Sequence, residues 1–229
     1  MPKFEEFNKI ARLSRDCVIT EKIDGTNAQV AIFEEWEMEN LVLEEERSRQ
    51  VVTSVERTYD VDKLISGTLG ALKVPLEGSN YFLMAGSRTR WIWPGSDNYG
   101  FAKWAWDHAE ELVSGLGSGK HFGEWWGQGI QRGYGLKEKR FSLFNTSRWT
   151  EENKPACCHV VPVLYQGIFS TTEVWDTLGV LETYGSFASP RFMDPEGVVI
   201  YHTAAGIYFK KTVLNDESPK SLVENATPA

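Results

Sequence analysis

Lys22 lies in the stretch ITEKIDGTN, between two runs of alternating apolar and polar residues that are typical of β-strands. An acid and a glycine follow at Asp24 and Gly25, so one interpretation is a surface turn in which Lys22 and Asp24 form an ion pair. The other interpretation is a nucleophilic amine at the mouth of a sheet. A K-x-D-G match arises by composition alone in about one chain of this size in twenty, so the residues downstream must decide.

Further residues that suit nucleotide chemistry follow in short motifs. They are Arg88 and Arg90 in SRTRWI, Glu124 in FGEWWG, Phe144 in RFSLFN, Glu196 in EGVVIY, and Lys210 and Lys211 in FKKT. A free lysine amine has a pKa near 10.4 and is about 99.9% protonated at pH 7. A nucleophilic lysine therefore needs nearby cations or a metal ion, which disfavour its ammonium form.

The charged residues of the last two motifs suit the phosphate end of a nucleotide. Lys210 and Lys211 could provide a positive field beside the amine and neutralise phosphate oxygens in the transition state. Glu196 is a hard carboxylate of the kind that holds Mg²⁺ directly or through water.

Glu124 and Phe144 suit the nucleoside end. A carboxylate accepts hydrogen bonds from ribose hydroxyls, and an aromatic ring stacks on a purine. Strand alternation places Phe144 on the face of Ser142, opposite Phe141. The alternatives are an ion pair between Glu124 and Arg132, and core packing for Phe144.

As an ordered set, these motifs resemble those of the covalent nucleotidyltransferases, the superfamily of ATP-dependent ligases and RNA capping enzymes. The detailed resemblance is to the phage-type RNA ligases that seal nicks in duplex RNA, in which EKIxGTN, RTGPI and FGExxGxGIQ recur in this order. It extends from about Glu21 to Lys211. It implies an ATP-dependent ligase that joins a 3′-hydroxyl to a 5′-phosphate through lysyl-AMP, with Mg²⁺ or Mn²⁺ as the metal.

The resemblance also implies a role for each residue. The catalytic set is Lys22 as nucleophile, Glu196 as metal ligand, and Lys210 and Lys211 as α-phosphate contacts. The nucleotide-binding set is Glu21, Ile23, Asn27, Arg88, Glu124 and Phe144. Within that second set, Glu21 and Ile23 are expected to meet the adenine largely through their backbone.

The chain departs from the family pattern in its last lysine motif. The family has lysine, any residue, lysine, whereas this chain has IYFKKT. If Lys210 takes the second position, the uncharged Tyr208 takes the first, and if Lys211 takes it, Phe209 does. We expect Lys210 to keep the phosphate contact, and alternation puts Lys211 on the opposite strand face. Arg90 stands where the family has glycine.

The surrounding patterns predict an α+β fold, in which antiparallel sheets flanked by a few helices position these residues. Residues 97–119 predict one helix, and 170–185 predict another that begins with a capping box from Ser170 to Glu173. Residues 158–168 predict one strand, and 196–213 predict a hairpin. The charged segment 37–66 reads as a long hairpin insertion, and the last fifteen residues as a frayed polar end.

At 229 residues, the chain suits one large α+β domain or two small ones. The resemblance implies one adenylation domain over residues 1–229, with the ATP-grasp-like fold of ligase catalytic domains. The chain ends fewer than twenty residues after Lys211, so we expect neither an OB-fold nor a helical C-terminal domain. That expectation implies either a minimal ligase or dependence on an accessory protein for recognition of RNA ends.

Charge and composition limit the partners and the compartment. The net charge of −8 argues against a protein that coats nucleic acid without regard to sequence, although 132–140 form a local basic segment. Three cysteines make no disulfide framework and fit a reducing cytoplasm, including the host cytoplasm of a phage. The sequence has no apolar run of about 20 residues, so we expect no membrane partner.

Three functional alternatives stay open at this point. Within the superfamily, an RNA substrate could be a nicked duplex or single-stranded ends. The substrate could instead be nicked DNA, or the enzyme could cap RNA with GTP. Outside catalysis, the altered lysine motif fits a module that binds nucleotides or RNA ends without reacting.

Overall fold

The computed structural model describes residues 4–7, 9–48 and 70–214. Its strands are β1 Asp16–Lys22, β2 Thr26–Glu34, β3 Leu72–Leu76, β4 Ser79–Ser87, β5 Trp91–Ile92, β6 Gly119–Gly127, β7 Lys139–Leu143, β8 His159–Val160, β9 Val163–Ile168, β10 Gly197–His202 and β11 Ile207–Thr212. Its helices are α1 Glu35–Ser48, α2 Phe101–Asp107, α3 Ala109–Leu116 and α4 Thr171–Tyr184. The α+β class with largely antiparallel sheets is confirmed.

The elements form two compact units. Unit 1 comprises residues 1–24 and 161–229, and unit 2 comprises residues 25–160. A single domain over residues 1–229 stays a prediction. No helix within the described part of the chain is long and apolar enough to cross a membrane.

Unit 1 is built on a four-stranded antiparallel sheet in the order β11–β10–β1–β9. Alternate residues of β1 and β10 are buried, so one face of the sheet packs and the other does not. The packed face contributes Cys17, Ile19, Val198 and Ile200 to a cluster with Val174, Leu178 and Leu181 of α4. The opposite face, which carries Lys22, is half-buried or exposed.

Helix α4 has both of the boundaries that its sequence predicts. Ser170 is the N-cap, and its side chain accepts a hydrogen bond of 3.2 Å from the backbone N–H of Glu173. Gly185 ends the helix with φ 78°, a conformation that favours glycine.

Unit 2 is built on a second sheet in the order β3–β4–β2–β6–β7–β8, with β5 paired to β4. All pairings are antiparallel except the parallel pair of β7 and β8. Helices α2 and α3 cover one face through Phe101 and Leu112, which join a buried cluster with Val30, Trp125 and Phe141 of the sheet. On the opposite face, Ala31, Phe82 and Met84 of the sheet pack with Met38 of α1 in a second buried cluster.

The predicted hairpin insertion at 37–66 is wrong where the structure describes it. Residues up to Ser48 belong to α1, and 49–69 lie outside the described residues, as do the last fifteen residues. The segment EWEMENLVLEEERS is rich in Glu, Leu and Met, which are good helix formers, and Glu35 and Glu37 favour its first turn through the helix dipole. The many charged residues of this segment led to the prediction of an insertion instead of a helix.

The single helix predicted over 97–119 is two helices in the structure. The chain leaves helical geometry at His108, where φ is −112°, so α2 and α3 are separate. The imidazole Nδ1 of His108 lies 2.8 Å from the carbonyl oxygen of Trp104. The second helix ends at Leu116, and Gly117 is its C-cap.

The single strand predicted over 158–168 is also two strands, β8 in unit 2 and β9 in unit 1. Pro162 lies between them and has no N–H to donate to a ladder, which explains the break. The predicted hairpin near the C-terminus is confirmed as β10 and β11.

Replacing Ser170 by alanine tests the cap of α4. We expect Ser170→Ala to lower the free energy of unfolding by about 1 kcal/mol, because the N–H of Glu173 loses its acceptor. Urea denaturation followed by circular dichroism measures the change. Thr171→Ala, at the exposed neighbouring position, is the matched control and should stay within about 0.5 kcal/mol of the parent.

Candidate active site

Lys22 is the last residue of β1 and is opposite Gly197, the first residue of β10. Its Nζ donates a hydrogen bond of 2.5 Å to Oε2 of Glu196, a residue 174 positions away in sequence. Lys22 is 21% exposed and Glu196 only 3% exposed. The interpretation of Lys22 as a surface lysine paired with Asp24 is therefore wrong, and the lysine is held by the glutamate of EGVVIY.

Gly197 allows the strands to meet closely beside this pair. Its φ is +152°, and a Cβ at this position would collide with the carbonyl oxygen of Lys211 on β11. The glycine that follows Glu196 in the sequence is thus required by the approach of β11, which brings the lysine motif next to β10.

The strand register separates Lys210 from Lys211. Lys210 is opposite Val199, on the half-exposed face of the sheet that carries Lys22. Lys211 is opposite Val198, on the face that packs on α4, and its Nζ lies 4.5 Å from the ring centroid of Trp175. The predicted placement of the two lysines on opposite faces is confirmed, and of the two it is Lys210 that shares a face with Lys22.

Glu21 has a buried side chain with a structural task. Its carboxylate accepts hydrogen bonds from the Ser186 hydroxyl at 2.6 Å, the Phe187 N–H at 2.8 Å and the Ala188 N–H at 2.9 Å. Burial raises the pKa of this carboxyl, and the three hydrogen bonds oppose that rise. Glu21 therefore ties β1 to the loop after α4, while Ile23 is buried directly beyond the strand.

In unit 2, the register aligns Asn27, Glu124 and Ser142 on three adjacent strands. All three point away from the core under α2 and α3, because their neighbours Ala28, Trp125 and Phe141 lie in it. Ser142 is buried and accepts a 2.9 Å hydrogen bond from the indole Nε1 of Trp126.

Gly25 explains why a glycine follows the nucleophile motif. Its backbone N–H donates a hydrogen bond of 3.1 Å to Oε1 of Glu124. A Cβ on Gly25 would lie 2.5 Å from the carbonyl oxygen of Trp125 and 2.7 Å from Cβ of Trp126. Only glycine lets the chain approach β6 closely enough for this hydrogen bond, which holds the carboxylate of Glu124 in place.

Phe144 lies one residue beyond β7 and is half-buried. Its N–H donates to the carbonyl oxygen of Phe122 at 3.0 Å, which extends the pairing of β6 and β7. Phe141 and Leu143 belong to the core cluster, so the predicted alternation in this strand is confirmed and Phe144 is not part of that core.

Arg88 and Arg90 lie in the exposed turn between β4 and β5. Arg88 directly follows Ser87, which is opposite Ala28, so it reaches the same end of the sheet as Asn27. Arg90 donates to the backbone oxygen and the hydroxyl of Ser96, at 3.1 and 3.0 Å, and so closes its own loop.

The predicted residues fall into two groups, one in each unit. Unit 1 carries Glu21, Lys22, Ile23, Glu196, Lys210 and Lys211, and unit 2 carries Asn27, Arg88, Glu124 and Phe144. Sequence reasoning missed the side-chain role of Glu21 and the contact of Lys211 with Trp175. The alternation of β1, which puts Glu21 on the buried face, was the available signal for the first of these.

The residues of unit 1 could hold a metal ion together with the phosphates of a nucleotide. Within the described ranges, no three His, Cys, Asp or Glu residues are grouped closely enough to form a metal site. Glu196 is a single buried carboxylate, and Mg²⁺ commonly binds through one or two carboxylates together with substrate phosphates and water. The donor set of unit 1 fits such a shared site.

The sequence model of the RNA ligase family matches residues 15–213, which include all ten predicted site residues. The chain belongs to the RNA ligase family. Among solved structures, the chain is similar to the apo form of a lysine-to-alanine mutant of RNA ligase R4a from Naegleria gruberi, with a TM-score of 0.44 and 14% identity. That similarity covers 93% of this chain and 57% of the Naegleria chain. No curated protein matches the chain.

The buried carboxyl of Glu21 predicts a pH-dependent effect on stability. Because its folded-state pKa is raised above the ordinary value of 4.5, its ionisation destabilises the folded state as the pH rises through that window. We expect Glu21→Gln to gain stability relative to the parent as the pH rises above 4.5, by at most about 1.4 kcal/mol per pH unit.

Urea denaturation of both proteins across this pH range measures the difference. Glu182→Gln, at an exposed position of α4, controls for the change in net charge. Parallel stability curves for Glu21→Gln and the parent would contradict the raised pKa.

Proposed function

We propose that this RNA ligase family member is an ATP-dependent RNA ligase that works through a covalent lysyl-AMP intermediate on Lys22. The observation that carries the proposal is the hydrogen bond of 2.5 Å between Lys22 and Glu196 at the end of β1. It joins an amine to a nearly buried carboxylate at the sheet face that also carries Lys210.

The chemistry has three steps. Lys22 Nζ attacks the α-phosphorus of ATP, a P–N bond forms, and the bond to pyrophosphate breaks. A 5′-phosphate oxygen of the RNA then attacks the same phosphorus and displaces the lysine, which gives an adenylylated RNA end. A 3′-hydroxyl finally attacks the 5′-phosphorus of that end, a phosphodiester forms, and AMP leaves.

Glu196 controls the state of the nucleophile. In the structure Lys22 Nζ donates a hydrogen bond to the carboxylate, and this contact has to open before the amine can attack. Mg²⁺ or Mn²⁺ bound at Glu196 would supply the counter-charge that frees the amine and would neutralise the phosphate oxygens. Lys210 would stabilise negative charge on the α-phosphate from the same face.

The residues of unit 2 suit the nucleoside and the substrate phosphate. Glu124, held by the N–H of Gly25, would accept from the ribose hydroxyls, and the half-buried Phe144 would stack on adenine. Asn27 and the exposed Arg88 would meet phosphate oxygens. Glu21 and Ile23 would present their backbone to the base.

The proposal also covers the nucleic-acid substrate and the cellular compartment. We infer RNA ends, in a nicked duplex or as single strands, as the substrate, with DNA as the alternative, and an accessory protein for end recognition. Three free cysteines fit a reducing cytoplasm, including that of a phage host. The chain spans 57% of the Naegleria structure, so the full protein's activity needs its own test.

Lysyl-AMP formation tests the nucleophile. We expect the parent protein, incubated with α-labelled ATP and Mg²⁺, to carry label that persists through denaturing electrophoresis. Lys22→Ala should carry none, whereas Lys120→Ala, at an exposed lysine of β6, should label like the parent. Label retained in Lys22→Ala would overturn the proposal, and tight AMP binding without any label would favour the non-catalytic module.

The two lysines of β11 should differ in the same assay. We expect Lys210→Ala to slow lysyl-AMP formation by about 100-fold, since it removes a cation from the nucleophile's face. Lys211→Ala should slow it much less and should instead cost about 0.5–1 kcal/mol of stability, because it removes the contact with Trp175. Equal losses of rate in the two variants would show that the sheet face does not decide their roles.

A further inference from the structure

Two tyrosines are in ring contact on the half-exposed face of the unit 1 sheet. Tyr201 of β10 is opposite Tyr208 of β11, and their ring centroids are 4.6 Å apart with an interplanar angle of 33°. Half-buried Val199 and Tyr201 alternate with the buried Val198, Ile200 and His202, and Tyr201 lies an even number of residues from Gly197, the partner of Lys22. The tyrosine pair therefore points to the same side of the sheet as Lys22.

The pair is more exposed than a purely structural contact would require. Cross-strand aromatic pairs do stabilise hairpins. Tyr208 nevertheless remains 67% exposed, so most of its surface faces solvent although Tyr201 covers one side of the ring. An aromatic ring that is fixed by a neighbour and open on its other side is the arrangement on which nucleobases stack.

The distance of the tyrosine pair from Lys22 suits contact with a base near the reacting end of an RNA strand. Tyr201 is four residues from Gly197, the partner of Lys22, which corresponds to about 13 Å along the strand at roughly 3.3 Å per residue. That distance equals about four stacked nucleotides at roughly 3.4 Å each. Lys210 lies between the two positions on the same face, so the path between them attracts a phosphate backbone.

We propose that the Tyr201–Tyr208 pair is a stacking platform for a base of the RNA strand, a few nucleotides from the end that reacts at Lys22. This inference rests on the proposed RNA ligase function and adds a contact that holds the substrate strand. The platform acts in strand binding and takes no part in bond formation.

Fluorescence anisotropy with a labelled, 5′-phosphorylated single-stranded RNA of about twelve nucleotides tests the platform. We expect Tyr208→Ala to raise the Kd for this RNA about tenfold, and Tyr208→Phe, which keeps the ring, to stay within about twofold of the parent. Tyr184→Ala is the matched control, because Tyr184 is a 70% exposed tyrosine at the end of α4 in the same unit.

The salt dependence of binding separates stacking from charge. We expect the slope of log K against log salt concentration to be the same for Tyr208→Ala and the parent, since no phosphate contact is lost. A Kd for Tyr208→Ala within twofold of the parent, or an equal loss in Tyr208→Phe, would overturn the inference. Undetectable RNA binding by the parent would overturn it as well.

Urea denaturation of each variant shows whether the pair acts only in folding. A loss of RNA affinity that follows a loss of folded protein would overturn the inference. The binding assay contains no ATP, so its outcome is independent of lysyl-AMP formation. RNA binding that depends on Tyr208 without lysyl-AMP in the parent would overturn the proposed function alone.

Discussion

The ion pair between Lys22 and Glu196 is the interaction around which unit 1 is arranged. An amine that is only one-fifth exposed and a carboxylate that is almost fully buried can persist at such a position only if each compensates the charge of the other. Their meeting depends on the pairing of β1 with β10, which brings together segments from the two ends of the sequence. The fold thereby holds the Lys22 amine against Glu196 at the end of β1.

Residues on the packed face and at the edge of the sheet maintain this arrangement. On the packed face, Glu21 anchors the loop after α4 through three hydrogen bonds, and the apolar side chains of α4 fix the strands beneath. At the edge, Gly197 lets β11 approach so closely that Lys210 shares the face of the nucleophile. Side chains that take no part in bond making thus determine where the reactive groups lie.

The sequence predicted the parts of the fold that depend on local rules. Alternation identified β1, β10 and β11, the capping box and glycine identified α4, and the order of motifs identified the family to which the chain belongs. The prediction of helices and strands was wrong where two sequence patterns in the same segment indicated different structures. The charges of α1 hid good helix formers, His108 broke a helix that the apolar pattern made continuous, and Pro162 separated two strands inside one apolar run.

The sequence could predict the candidate site residues from their types and order. It could not predict which residues contact them in the structure. Nothing in the sequence places Glu196 within hydrogen-bonding distance of Lys22, because that contact depends on strand pairing across most of the chain. Alternation did predict that Lys210 and Lys211 face opposite ways, yet it could not identify Trp175 as the group beneath Lys211. The alternation of a strand predicts which face of the sheet a side chain is on. The residue that it contacts on that face depends on tertiary packing.

Strand β11 is the outer strand of the unit 1 sheet, and most of its residues are exposed. An outer strand presents backbone groups to which another extended chain can add, and lysine is one of the residues that discourages such addition. Two consecutive lysines on this strand project to both sides of it, so a second copy approaching edge to edge would meet positive charge from either face. Both lysines of β11 would therefore oppose the pairing of this edge with a second copy of the strand.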